Sequence, residues 1–149
     1  MVEGRVTGAI DHGLLVFLGV KQDDTEEDAA YLASRICTLR IFNDSDGKMN
    51  LSVQDIHGGV LIVSQFTLHA DTRKGNRPSY VRAASLELAE RLYLRCIETL
   101  ITALGEDRVA SGIFRAMMNV ELVNDGPVTV MLYSKSEYGS QSGERALIP

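Results

Sequence analysis

The stretch Gly59-Val60-Leu61-Ile62-Val63-Ser64-Gln65-Phe66-Thr67-Leu68 limits the fold more than any other. Its near-continuous apolar start reads as a strand buried on both faces, which requires packed layers on either side. Ser64, Gln65 and Thr67 then bring hydrogen-bonding side chains into the same strand pattern. A buried polar group without a partner costs about 1–3 kcal/mol. These side chains therefore either bond to neighbouring loops or face a ligand, and the rest of the chain decides between the two.

A chain of 149 residues is long enough for one domain with a real core. A hydrophobic fraction of 45% with 23% charged residues is that of a soluble globular protein. No apolar run approaches a membrane span, and Met1-Val2-Glu3-Gly4-Arg5 does not read as a signal peptide, so a cytoplasmic location is expected. Cys37 and Cys96 sit in helical patterns among apolar residues and read as buried free thiols in a reducing cytosol. Neither they nor His12, His57 and His69 have metal-site spacing, and no motif calls for a cofactor. The net charge of −5 argues against sequence-independent wrapping of nucleic acid. It leaves room for local capture of one nucleic-acid end.

Arg5–Ile10 and Leu14–Val20 read as a hairpin turning at Asp11-His12-Gly13. Thr25-Glu26-Glu27-Asp28 opens a helix, with Thr25 as cap and Asp28 reaching back. Leu32, Ile36 and Leu39 form its buried face. Arg40-Ile41-Phe42 and Leu51-Ser52-Val53 read as short strands. Between them, Asn43-Asp44-Ser45-Asp46-Gly47 looks like a calcium loop, but with Gly47 sixth, the first and twelfth positions fall on Phe42 and Val53, and calcium is rejected. A long helix is predicted over Ser85–Leu104, with apolar residues at i, i+4 and Gly105 as terminator. Met118–Val123 alternates as a half-buried strand, Asn124-Asp125-Gly126-Pro127 is a turn, and Val128–Tyr133 is the last strand. Ser134–Pro149 changes composition and reads as a disordered tail. Six or seven strands with hairpin connections and two helices predict an α+β domain, its sheets largely antiparallel or mixed.

Three features carry chemistry. Ala70–Pro78 holds Arg73, Lys74 and Arg77 around Gly75, either a solvated charge cluster or a phosphate-binding loop. Gly126 lacks a Cβ, so its backbone can approach another molecule closely. Thr67 has the type of a nucleophile but needs a base within hydrogen-bond reach, and no histidine has an evident triad partner. On a strand His69 would share the face of Thr67, yet side chains two apart point in parallel and do not meet.

Ser64-Gln65-Phe66-Thr67-Leu68 and Asn124-Asp125-Gly126-Pro127-Val128-Thr129 resemble the two signature motifs of the D-aminoacyl-tRNA deacylases, also called D-tyrosyl-tRNA deacylases. Gly13-Leu14-Leu15-Val16, Leu39-Arg40-Ile41-Phe42, Gly47-Lys48-Met49-Asn50-Leu51, Lys74-Gly75-Asn76-Arg77-Pro78-Ser79 and Ala116-Met117-Met118 follow the family's order, from Val2 to about Tyr133.

The resemblance implies an esterase that acts on tRNA mischarged with a D-amino acid, and on glycyl-tRNA made in error. It implies a homodimer with active sites at the interface, and a cis Gly126–Pro127 peptide whose carbonyls enter the partner's pocket and exclude an L side chain. The residues alone favour trans, since only about 5–6% of X–Pro bonds in folded proteins are cis. An ester is already activated and the neighbouring ribose hydroxyl can orient water, so positioning and an oxyanion hole carry most of the task. Backbone N–H groups of Phe66 and Thr67 would supply that hole, and Ser64 and Gln65 would fix the strand end and the adenosine. Phe66 either stacks on the base or packs in the core. Asn124 belongs to the chiral-selection turn, and Ala116 and Met118 line the pocket or pack in the core. Arg73, Lys74 and Arg77 would contact phosphates near the tRNA acceptor end.

The family's pattern carries one further strand before Val2, and Arg115 stands where a small residue often follows the phenylalanine. These departures support a second expectation, an inactive form that binds tRNA or a partner protein. A third is a hydrolase of other D-amino-acid esters.

Overall fold

In the computed structural model, which describes residues 1–134, the chain runs β1 (Gly13–Leu18), α1 (Glu26–Thr38), β2 (Phe42–Asn43), β3 (Met49–Leu51), β4 (Gly59–Ser64), α2 (Leu86–Leu104) and β5 (Val109–Ser111). The fold is α+β, with two helices, a three-stranded sheet in the order β1-β4-β5 and a two-stranded β2-β3 sheet. Both pairings in the larger sheet are parallel, and β2 pairs with β3 antiparallel. Parallel neighbours need a long crossover, and α1 and α2 lie in those crossovers.

The central position of β4 explains its apolar run. Leu14, Val16, Val60 and Ile62 pack into the core beside α1 and α2, where Ala33, Ile36, Leu92, Cys96 and Leu100 are buried. Leu61 and Val63 alternate onto the other face and line an open cleft. The helix ends follow their capping residues. Thr25 accepts from Asp28 N–H, and Asp28 accepts from Thr25 N–H in return. Ser85 accepts from Leu88 N–H, and Gly105 closes α2 at φ 98°. Cys37 and Cys96 are buried free thiols, as their helical setting suggested. Asp44 is a turn brace: it accepts from the N–H groups of Asp46 and Lys48 and from the Asn50 amide, tying β2 to β3.

Several expectations are corrected. The Arg5–Ile10/Leu14–Val20 hairpin does not form, because β1 takes β4 as its parallel neighbour and residues 6–12 carry no strand. The strand through Leu68 stops at Ser64, and Phe66–His69 winds into a 3₁₀ turn. Met118–Val123 and Val128–Tyr133 alternate in sequence but form no strand. Alternation sets faces, whereas a strand also needs a continuous backbone ladder, and here Asn119 exchanges two bonds with Met1 at 2.6 and 2.9 Å without one. Among the described residues there are therefore five strands, not six or seven. Ser134 is buried, and the rest of the tail expected from Ser134 lies outside the described residues.

Candidate active site

The turn after β4 is set by three bonds. Gln65 N–H donates to the Leu18 carbonyl at 2.8 Å, tying the turn to the end of β1. Leu68 N–H reaches the Gln65 carbonyl, and Ala70 N–H reaches the Thr67 carbonyl. The Gln65 amide donates to Thr67 Oγ1, so that hydroxyl is engaged by an amide and not by a base. The first N–H groups of a helical turn have no acceptor within the turn, which leaves those of Phe66 and Thr67 unused by it. Ser64 is half-buried at the strand end. From beneath, the Tyr93 hydroxyl donates to the Ile62 carbonyl at 2.9 Å, and Gly112 N–H meets the same carbonyl at 3.0 Å. The end of β4 is thus clamped from α2 and from the residue after β5. Burial pushes the Tyr93 phenol up, so it remains a donor at neutral pH.

His69 lies two residues after Thr67, but the 3₁₀ turn separates their directions. Its imidazole packs toward Gly19, where an added Cβ would stand 3.1 Å from Nε2. That nitrogen is buried and has no hydrogen-bond partner.

The basic residues lie on a closed loop. Asp71 and Ser79 exchange backbone bonds at 2.7 and 2.9 Å. Arg73 forks onto the Asp71 carboxylate with bonds of 3.0 and 2.7 Å, which holds that carboxyl well below the usual range. Arg73 braces the loop, and Lys74 and Arg77 stand exposed on it. At its foot the rings of Phe66 and Tyr80 meet edge to face, 5.2 Å apart. Phe66 is 57% exposed, so it is not the core residue that its aromatic type allowed.

The second motif is an exposed turn. The Asn124 amide donates to Thr129 Oγ1 at 3.2 Å and spans Gly126–Pro127. Gly126 holds φ +131°, and an added Cβ would lie 3.3 Å from Val128. The Gly126–Pro127 peptide is trans, which corrects the cis geometry that the resemblance implied. Trans is favoured by about 0.5–1 kcal/mol for X–Pro, and Gly126 and Pro127 stand exposed. Met118 lies against Gly112, where an added Cβ would stand 2.7 Å from its sulfur. Ala116 N–H bonds the Ile113 carbonyl beside Arg115, which occupies the left-handed region at φ 65°.

A cleft of about 1500 Å³ runs along the sheet face of Leu61 and Val63. It collects Met118, Asn124 and Arg73, whereas Ser64–Thr67, Ala116, Gly126–Pro127, Lys74 and Arg77 lie outside its lining. Leu68 from the first motif and Asn124, Asp125, Val128 and Thr129 from the second line this one cleft, so the motifs border it while Ser64–Thr67 and Gly126–Pro127 do not. Among the described residues no His/Cys/Asp/Glu cluster is placed to hold a metal, and no helix is long and apolar enough to cross a membrane.

The profile of D-Tyr-tRNA(Tyr) deacylase matches residues 1–133. The chain belongs to this deacylase family. It is 58% identical over 137 residues to a D-aminoacyl-tRNA deacylase of Koribacter versatilis, covering 92% of this chain and 91% of that relative. A D-aminoacyl-tRNA deacylase of Thermotoga petrophila is 56% identical over 134 residues, covering 90% and 89% of the two. Among solved structures, the c-Myc DNA unwinding element binding protein superposes with a TM-score of 0.85 at 38% identity, covering 90% of each chain. A probable eukaryotic D-amino acid tRNA deacylase superposes with a TM-score of 0.61 at 19% identity over 70% of this chain and 76% of its own, a likeness of fold.

Within this deacylase fold, sequence reasoning missed Asp71, Tyr80 and Tyr93. Asp71 and Arg73 stand two apart, the one visible sign of the loop brace. Tyr80 and Tyr93 had no local signal, because their partners come from β4 and from the turn after it.

Proposed function

We propose that the chain is an aminoacyl-tRNA deacylase that hydrolyses the ester of a D-amino acid on tRNA, releasing the amino acid and free tRNA. The carrying observation is the family match over residues 1–133, which we take as the deacylase domain. Water adds to the ester carbonyl carbon, the carbon–oxygen bond to ribose breaks, and a proton passes to the departing ribose oxygen. The N–H groups of Phe66 and Thr67, which the turn leaves unused, suit the oxyanion that forms on the way. Gln65 fixes the Thr67 hydroxyl, and Ser64 ends the strand behind it. Nothing in this scheme needs a cofactor.

Selection by hand falls to Asn124, Gly126 and Pro127, with Ala116 and Met118 beside the pocket. A backbone filter works by exclusion, which suits a glycine-proline turn. Gly126 and Pro127 do not line the cleft of their own chain, and the turn acts on a second copy. Met117 is 92% exposed and Val123 91%, with Leu122, Val130 and Met131 exposed nearby, an apolar surface of the kind that a partner covers. The active form is accordingly a homodimer with shared sites. Lys74 and Arg77, with Arg73 as brace, contact phosphates of the acceptor end. Binding so few phosphates gives a shallow salt dependence. Glycyl-tRNA made in error is a second substrate, because glycine has no side chain for the filter to reject. A tRNA substrate places the enzyme in the cytoplasm.

The test incubates the protein with D-tyrosyl-tRNA and L-tyrosyl-tRNA and follows the release of each amino acid, beside gel filtration. Release from the D form alone, by a dimer, is expected. Equal rates, or none on the D form, would leave only the inactive binding form or a different esterase.

A further inference from the structure

Two exposed aromatic rings in contact beside a basic loop are unusual on a protein of net charge −5. Phe66 is half exposed and Tyr80 is 39% exposed, so burial does not account for the pair. Phe66 directly precedes Thr67 on the 3₁₀ turn. Tyr80 directly follows Ser79, whose paired bonds with Asp71 close the loop that bears Lys74 and Arg77. The order in space is therefore reactive turn, aromatic pair, cationic loop. Aromatic faces next to backbone-tracking cations are the physical signature of single-strand nucleic-acid binding. An unstacked base regains its stacking on such a ring, and its phosphate meets the cation alongside.

We propose that Tyr80, supported edge to face by Phe66, is the stacking platform for the unpaired base one nucleotide upstream of the esterified adenosine. Lys74 and Arg77 take the phosphates that lead away from it. The proposal rests on the deacylase reading and assigns Tyr80 a part in holding the acceptor strand. The paired backbone bonds of Asp71 and Ser79 set the position of the platform, because they close the loop from which Tyr80 emerges.

The test compares D-tyrosyl-tRNA with 3′-O-D-tyrosyl-adenosine, which carries the ester but no upstream base. For Tyr80→Ala, KM on the tRNA is expected to rise about tenfold, in line with the stacking of one base, with a several-fold smaller loss on the minimal ester. Tyr80→Phe keeps the ring face and restores the tRNA value. Tyr80→Leu keeps apolar bulk without the face and does not. A second arm needs no chemistry: fluorescence anisotropy with a short single-stranded RNA ending as tRNA does should show the same ranking. Equal losses on both substrates, rescue by leucine, or unchanged RNA binding would overturn the platform. Wild-type protein inactive on both esters would instead overturn the parent reading, and the RNA arm would still decide the platform.

Discussion

Gly13 and Gly59 face each other where β1 and β4 begin to pair, so closely that a Cβ on Gly13 would stand 1.9 Å from the Gly59 carbonyl oxygen. The obstacle is the backbone of the neighbouring strand and cannot rotate away. Gly13→Ala should destabilise the fold by about 3 kcal/mol, at the upper end of overpacking effects. Thermal denaturation reads this as a fall in melting temperature of about 6–12 °C. A change below about 2 °C would mean that the two strands slide apart at little cost.

Thr67→Ala should remain active. Its hydroxyl accepts from the Gln65 amide, and among the described residues no base reaches it, so the expected loss in kcat on D-tyrosyl-tRNA is under about tenfold, the scale of one positioning contact. A folded variant with no measurable turnover would make Thr67 the nucleophile.

Arg115 sits at φ 65°, where a side chain costs about 1–2 kcal/mol and glycine costs little. Arg115→Gly should raise stability by up to about 1 kcal/mol, after the extra freedom that glycine gives the unfolded chain. Urea denaturation measures it. A loss would show that the guanidinium makes a compensating contact.

Burial pushes the Cys96 thiol up to about 12, and the neighbouring Cys37 adds to the effect. An unfolded thiol titrates near about 8.5. Between those values the unfolded chain releases a proton that the native chain retains, so stability falls as pH rises above about 8.5 and is fully present below it. From pH 8 to pH 10 the wild type should lose about 2 kcal/mol more than Cys96→Ala, measured as the shift of each urea midpoint. Parallel losses would assign the alkaline transition to other groups.

The two helices were legible in the sequence because capping and i, i+4 burial are local. Thr25, Asp28, Ser85 and Gly105 act within one turn of their own position. The apolar run of β4 likewise announced a central strand, although only its Val60 and Ile62 face packs under the helices while Leu61 and Val63 line the cleft. Its partners were not legible, since the turn at Asp11-His12-Gly13 suits a hairpin, and only the α1 crossover delivers β4 in parallel beside β1. The reactive motif was visible as polar residues after that run, whereas its 3₁₀ form depends on Leu18 receiving Gln65.

Residue order by itself determined the family, the two motifs, the helices and the basic loop, because each is written in contiguous residues. Tertiary structure alone decided that β1 pairs in parallel with β4, that Phe66 and Tyr80 form an exposed pair, and that Leu68 and Asn124 line one cleft. Those facts depend on which distant segments meet, and pairing across the chain follows from packing the whole core and not from any local preference.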